Sequence, residues 1–415
     1  MTLEKLAITL WDFTWYTRTG PGEPFEDLDA AYRQAAERGY NTIRICAMPL
    51  LLFGSTLDTG ALRLSGLGGD YGQRTRWYDV RHTTTVDGRA QLLALFRGAA
   101  RHGFKVIVSS WEYQQSPSFL TDDSWHRAVT AIPPAGRADA LADALAALVD
   151  LLKAEGLDDR VAFVELHNEV QIGRLADVTG TRGEAAILGL QPYLEGGIDR
   201  FRARHPEIPV TANYARVPAG YMRGLPRNAG VAVFHPYVYG VLEQLVDEFA
   251  LRDESRPYPQ ERAYAELLRD GAPKLEDWQP PAADRWRLDA TAVRHREMYT
   301  HDWCDPDRWD RWLYDRYGEH RRAMRSTLDT WIDVAADWAA ERSVPLVFGE
   351  GWVGYTPLYG TFEEGPVGAE ICEHAVRRSA EVGAWGTLVC SNAAPHHPMW
   401  NDVALQRRLN EGFVR

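Results

Sequence analysis

Short apolar runs alternate along the chain with stretches that are apolar on one side only. Residues 6–10 (LAITL), 41–46 (NTIRIC), 105–111 (KVIVSSW) and 161–166 (VAFVEL) each read as a buried strand. So do 209–214 (PVTANY), 230–239 (GVAVFHPYVY), 344–352 (VPLVFGEGW) and 386–392 (GTLVCSN). Between them, residues 25–38 place Leu28, Ala31, Tyr32 and Ala35 at helical spacing, with Gly39 as the stop. Helices are likewise predicted over 91–102, 137–155, 183–205, 326–342, 368–382 and 403–413. A strand, a helix and a strand within about 45 residues make a βαβ unit and a parallel sheet. Eight strands separated mostly by helices predict an α/β fold, a (β/α)8 TIM barrel formed as one catalytic domain over residues 1–415. An open doubly wound sheet is the alternative, but no Gly-rich phosphate loop follows LAITLWDF.

Two stretches exceed ordinary loop length. Residues 50–88, after strand two, include GLGGDYGQRTRWYDVRH; residues 241–318, after strand six, are rich in Trp, Arg and Asp and broken by Pro280-Pro281. Insertions of this size are commonly functional, and in a barrel they are expected over the mouth, narrowing it.

Charge and composition then remove classes of partner. A formal net charge of −12 argues against nucleic acid and against an anionic membrane surface, and favours a neutral or cationic ligand. The first thirteen residues carry only Lys5 as a basic group and break their apolar run at Asp12, and nowhere do about 18 apolar residues run together. A cytoplasmic protein is expected, with no membrane partner; oligomeric state is not encoded in these patterns. The 15 Trp and 18 Tyr suit stacking on sugars as well as plain core packing. Cys46, Cys304, Cys372 and Cys390 lack CxxC spacing and read as buried free thiols. His301 and His396-His397 lack an HExxH frame and read as loop histidines, so no metal or cofactor is expected. No GxSxG elbow or GxxxxGK loop is present.

In such a barrel the chemistry comes from the C-terminal ends of the strands. The first presents Asp12 and Trp15, the second Arg44, the third Trp111 and Glu112, and the fourth His167, Asn168 and Glu169. The fifth presents Asn213, the sixth His235 and Tyr237, the seventh Glu350 and Trp352, and the eighth Asn392 and, further on, Trp400. Hydrogen-bonding groups and aromatics therefore converge, as a carbohydrate site requires. Two carboxylates stand out, Glu169 and Glu350. Glycoside hydrolysis needs such a pair, one to protonate the leaving oxygen and one to attack, about 5–5.5 Å apart when configuration is retained.

HNE after strand four, GEGW after strand seven, Arg44 and the His235-Pro236-Tyr237 run resemble the clan A glycoside hydrolases, especially the cellulase-like enzymes related to glycoside hydrolase family 5. The resemblance implies Glu169 as acid/base and Glu350 as nucleophile of a double displacement, with Asn168 binding the sugar 2-hydroxyl. It implies that Arg44 keeps the nucleophile ionised and that Tyr237 or His235 bonds around the carboxylates. Glu169 is expected to have the higher pKa, through neighbouring negative charge. The chain departs from the family pattern in having Ser109-Ser110-Trp111-Glu112 after strand three in place of a His, and Ser391-Asn392 after strand eight in place of a sugar-stacking Trp. Trp400, Trp352 or Trp15 are the candidates to replace that Trp. The expected function is a retaining, exo-acting hydrolase of a small β-linked oligosaccharide or glycoside. A catalytically silent sugar-binding protein and a transglycosidase are the alternatives.

Overall fold

A computed structural model of the chain describes residues 3–67, 71–76, 78–354 and 356–415; residues 68–70 and 77 of the first insertion lie outside the described residues. The strands are β1 (Leu6–Asp12), β2 (Thr42–Cys46), β3 (Lys105–Ser109), β4 (Val161–Glu165), β5 in two pieces (Val210–Thr211 and Asn213–Ala215), β6 (Ala232–His235), β7 (Leu346–Phe348) and β8 (Gly386–Leu388). All pair in parallel, and β1 joins β8 through Leu6–Gly386 and Ile8–Leu388. The ring closes at β5. Its first piece pairs with β4 and its second with β6, so the interruption at Ala212 lies inside a complete (β/α)8 barrel. Apart from Lys105, Ala162 and Ala215 the strand residues are all buried, as expected where helices cover one face and barrel side chains the other.

The outer layer is α1 (Leu28–Glu37), α2 (Gly88–His102), α3 (Arg137–Ala154), α4 (Ile187–Arg204), α5 (Pro306–Arg342), α6 (Pro366–Glu381) and α7 (Val403–Val414). Asp27 and Asp87 start α1 and α2 by accepting from Ala30 N and Ala90 N at 3.0 and 2.9 Å, caps worth about 1 kcal/mol each. No α-helix lies between β5 and β6, only a 3-10 turn at Ala219–Gly224.

The helix expected over 326–342 begins twenty residues earlier. Asp305 caps it, accepting from Asp307 N and Arg308 N, and Pro306 supplies a preset first turn. Trp309, Trp312 and Leu313 then continue its buried stripe into what reads as insertion. Gly318 hid this continuity: it sits mid-helix, exposed, with nothing within 4 Å of an added Cβ. Gly318→Ala is therefore expected to stabilise the protein by about 0.5–1 kcal/mol, read as a raised midpoint in urea unfolding.

The two insertions pack against each other. The first forms a hairpin of Leu62–Leu64 with Thr84–Val86, and its Tyr71 stacks on Trp278 of the second at 3.9 Å and 13°. Arg287 of the second donates to the carbonyls of Gly66 (2.6 Å) and Ser118 (3.2 Å). The four cysteines are all free and buried. Among the described residues no helix is long and apolar enough to cross a membrane.

Candidate active site

The deepest groups at the barrel mouth are charged. Arg44, fully buried at the middle of β2, donates to Glu165 through Nε (3.0 Å) and Nη2 (2.6 Å), to Glu350 Oε1 through Nη1 (2.7 Å) and to Asn168 Oδ1 through Nη2 (2.7 Å). Its guanidinium lies 4.7 Å from the Trp111 ring centroid. The planar fork thus ties β2 to β4 and β7, a geometry that Lys cannot reproduce. Two carboxylates share one cation.

Glu350 is held from its other side. Tyr237 donates to Glu350 Oε2 at 2.8 Å and accepts from Ser391 Oγ at 2.6 Å, while Ser391 accepts from Gly351 N at 2.9 Å. Ser391, where the family pattern has Trp, therefore orients the tyrosine.

Glu169 has a different environment. Gln114 Nε2 donates to its Oε2 at 3.1 Å, and His235 Nδ1 lies 3.2 Å from its Oε1 and 3.7 Å from Glu350 Oε1. Burial lowers the His235 pKa to about 4, so the ring is neutral near pH 7, and the two carboxylate oxygens facing Nδ1 assign the proton to that nitrogen. Burial also raises the Glu169 pKa to about 7. The direction agrees with the expectation, but the cause differs: desolvation dominates, and the nearby charges of Arg44, Arg252 and Arg216 pull the other way. The Glu169 backbone is left-handed (φ 43°), a costly conformation for a non-glycine residue, and its N–H donates to Asn213 Oδ1 at 2.5 Å.

One oxygen from each of Glu169 and Glu350 and one ring nitrogen of His235 lie within 4.8 Å of one another. These three are the one group among the described residues that could hold a cation. Both carboxylates face a cavity of about 730 Å³, a size that suits a small ligand. Asp12, Trp111, Asn168 and Tyr237 line it as well. Asp12 follows an irregularity in the β1–β2 pairing that turns it inward with φ 37°, and burial raises its pKa to about 7. Asn168 gives one amide hydrogen to Gln114 Oε1 (2.8 Å), which leaves its second amide hydrogen for a ligand.

Residues 252–297 of the second insertion form the outer wall; Arg252 donates to Glu297 (2.6 Å), and its guanidinium lies 5.0 Å from the Tyr239 ring. No described residue of the first insertion lines the cavity; its described residues pack against the second insertion instead.

Several sequence candidates stand elsewhere. Glu112 caps the short helix Pro49–Phe53, accepting from Leu50 N (2.9 Å) and Leu51 N (2.8 Å), and also accepts from Trp125 Nε1 (3.1 Å). His167 is fully buried, accepting from Tyr113 N at 3.0 Å and contacting the Asn168 carbonyl at 2.6 Å. Trp15 donates to the Cys46 carbonyl (3.0 Å) and Trp352 to that of Leu388 (3.2 Å), both inside the core. Asn392 is buried beside Glu363. Trp400 lies against Tyr40 and Arg38 near α1 and bonds to Gln34 (3.0 Å). None of the three tryptophans replaces the missing one. Asn213 is behind the cavity, donating to Glu165 at 2.7 Å and positioning both strand-four carboxylates.

Sequence reasoning missed Glu165 and Gln114. A charged residue closing the apolar run VAFVE was the available signal for Glu165. Ser391 was placed at the end of strand eight but given no role, and Gln114 carried no signal in the sequence.

Comparison with known proteins agrees with this architecture. The family described as sugar-binding cellulase-like matches residues 8–229, more than half of the chain, including Arg44, Asn168 and Glu169 but ending before β6. Among solved structures, a candidate glycoside hydrolase from Parabacteroides distasonis aligns with a TM-score of 0.72 at 18% identity, covering 100% of this chain and 94% of that one. An endo-β-1,4-mannanase from Thermotoga petrophila aligns at 0.48 and 11% identity over 99% and 77% of the two chains. A tri-modular GH5 (subfamily 4) endo-β-1,4-glucanase from Bacillus licheniformis aligns at 0.48 and 11% over 98% and 59%. No curated protein sequence matches the chain. With the family match spanning more than half of its length, the chain belongs to the sugar-binding cellulase-like family.

Proposed function

We propose that the protein is a retaining glycoside hydrolase acting on a small β-linked oligosaccharide or glycoside, with Glu169 as acid/base and Glu350 as nucleophile. The observation that carries this reading is the unequal pair: two carboxylates with oxygens within 4.8 Å, one raised to about 7 by burial and one held by Arg44 and Tyr237. In the first half-reaction Glu350 attacks the anomeric carbon while Glu169 gives its proton to the departing oxygen. In the second, Glu169 takes a proton from water, which displaces Glu350. The wall that the second insertion adds to the cavity supports exo action.

A panel of nitrophenyl glycosides tested with wild type, Glu169→Ala and Glu350→Ala addresses the enzyme reading, and proton NMR of the first product reports the anomer. No turnover by wild type, with sugar binding intact in both variants, would favour a silent sugar-binding protein. The absence of Trp15, Trp352 and Trp400 from the cavity keeps that second reading in view.

Acid catalysis requires protonated Glu169, so kcat/KM is expected to fall as pH rises through about 7. The alkaline limb should vanish in Glu169→Gln; a limb that persists there belongs to another group.

A further inference from the structure

Arg44 fixes the orientation of two amides that lie beyond it. A guanidinium carries donors and no acceptor, so its 2.7 Å bond to Asn168 identifies the amide oxygen on that side. The Asn168 nitrogen then points away from Arg44 and gives one hydrogen to Gln114 Oε1 at 2.8 Å. Gln114 in turn has its nitrogen at the far end, where it meets Glu169 Oε2 at 3.1 Å. The chain of donors runs one way, from Arg44 through Asn168 and Gln114 to Glu169. Arg44 thereby reaches both carboxylates of the pair, Glu350 directly and Glu169 through two amides.

The backbone of Gln114 is held as well. Its N–H donates to the Trp111 carbonyl at 2.9 Å, and its own carbonyl accepts from Ala292 N of the second insertion at 2.7 Å. The pocket wall therefore pins the residue whose side chain meets the acid. On the other oxygen of Glu169 the situation is looser: His235 Nδ1, 3.2 Å from Oε1, has Glu350 Oε1 at 3.7 Å as a second acceptor. Gln114 Nε2 has no acceptor besides Glu169 among the described residues.

We propose that Gln114 is a positioning residue for the acid: its N–H makes Oε2 the carbonyl end of the protonated Glu169 carboxyl and leaves Oε1, on the side of Glu350, to carry the proton given to the leaving oxygen. This inference rests on the acid role of Glu169. Charged and titratable groups reach that carboxyl from several elements: Arg44 from β2, Arg216 from the end of β5, His235, Tyr237 and Tyr239 from β6 and the loop after it, Glu350 from beyond β7, and Arg252 from the second insertion. All of them stay when Gln114 is replaced. Burial raises the Glu169 pKa, and the Gln114 bond is the leading opposing influence, because a donor favours the ionised carboxylate. Deleting that donor therefore moves the pKa further up.

The test is the pH profile of kcat/KM for wild type, Gln114→Met and Gln114→Leu on the nitrophenyl β-glycosides of glucose, mannose, galactose and xylose. Both variants keep an uncharged side chain of similar bulk and delete the donor. The alkaline limb should move up by about one pH unit, the scale of a lost hydrogen bond to a charged group. Gln114→Leu carries the test if thermal melting shows that Gln114→Met is unfolded. A lower kcat/KM with the limb at its wild-type pH is what a purely structural role gives, and it overturns the proposal. A limb that persists in Glu169→Gln, or no turnover by wild type, removes instead the acid reading of Glu169, and this inference falls with it.

Discussion

Replacing Glu350 with alanine is expected to lower kcat by about ten-thousand-fold or more, the scale on which loss of an enzyme nucleophile acts. The change deletes the attacking oxygen but leaves Arg44 paired with Glu165 and Asn168, so the barrel should persist. Glu169→Gln should behave differently. Proton donation is worth about a hundred- to ten-thousand-fold, and only when the leaving oxygen needs a proton. Dinitrophenyl glycosides, whose leaving group departs as a stable anion, should therefore form the covalent intermediate at nearly the wild-type rate, whereas alkyl glycosides should not react. Steady-state and burst kinetics on both substrate types make the distinction. Equal losses on the two substrates would remove Glu169 from the acid role, and near-wild-type turnover by Glu350→Ala would remove Glu350 from the nucleophile role.

The second large effect concerns stability. Arg44→Met is expected to cost about 3–5 kcal/mol, because it strands Glu165 and Glu350 as buried carboxylates without their cation. With an unfolding entropy of about 2.1 cal/mol/K per residue, that corresponds to a drop in Tm of roughly 3–6 °C. Glu165→Leu combined with Arg44→Met should recover part of the loss, since replacing both partners of a buried pair is far milder than removing one. Differential scanning calorimetry of the two single variants and the double variant gives the coupling. Arg44→Lys should remain defective despite its charge, because a single ammonium cannot bridge Glu165, Glu350 and Asn168 together. Strict additivity in the double variant would mean that the pair does not act as a unit.

Most of the barrel was legible in the sequence because its strands are buried on both faces and read as continuous apolar runs. Helix stops were also marked, by Gly39 and Gly103 among others. The second insertion was harder to parse, since its helix initiation at Asp305-Pro306 is set among Trp, Arg and Asp and followed by Gly318. The site was half legible for a related reason. A strand end locates a residue at the correct end of the barrel, but direction alternates residue by residue, and loops then redirect it. Glu169, Glu350, Arg44, His235 and Tyr237 converge. Glu112 turns instead to the N–H groups of Leu50 and Leu51, and His167 into the core beside the carboxylates it was grouped with. Glu165 looked like the tail of a strand because its partner, Arg44, lies 121 residues away in sequence.

Asn213 opens the second piece of β5, where the ring closes onto β6, and its side chain also fixes Glu165 and the backbone of Glu169. The same residue therefore stands at the closure of the sheet and behind the Glu169 carboxylate. An opening of β5 from β6 would release the backbone anchor of Glu169, so local fraying at this one seam and displacement of that carboxylate are linked.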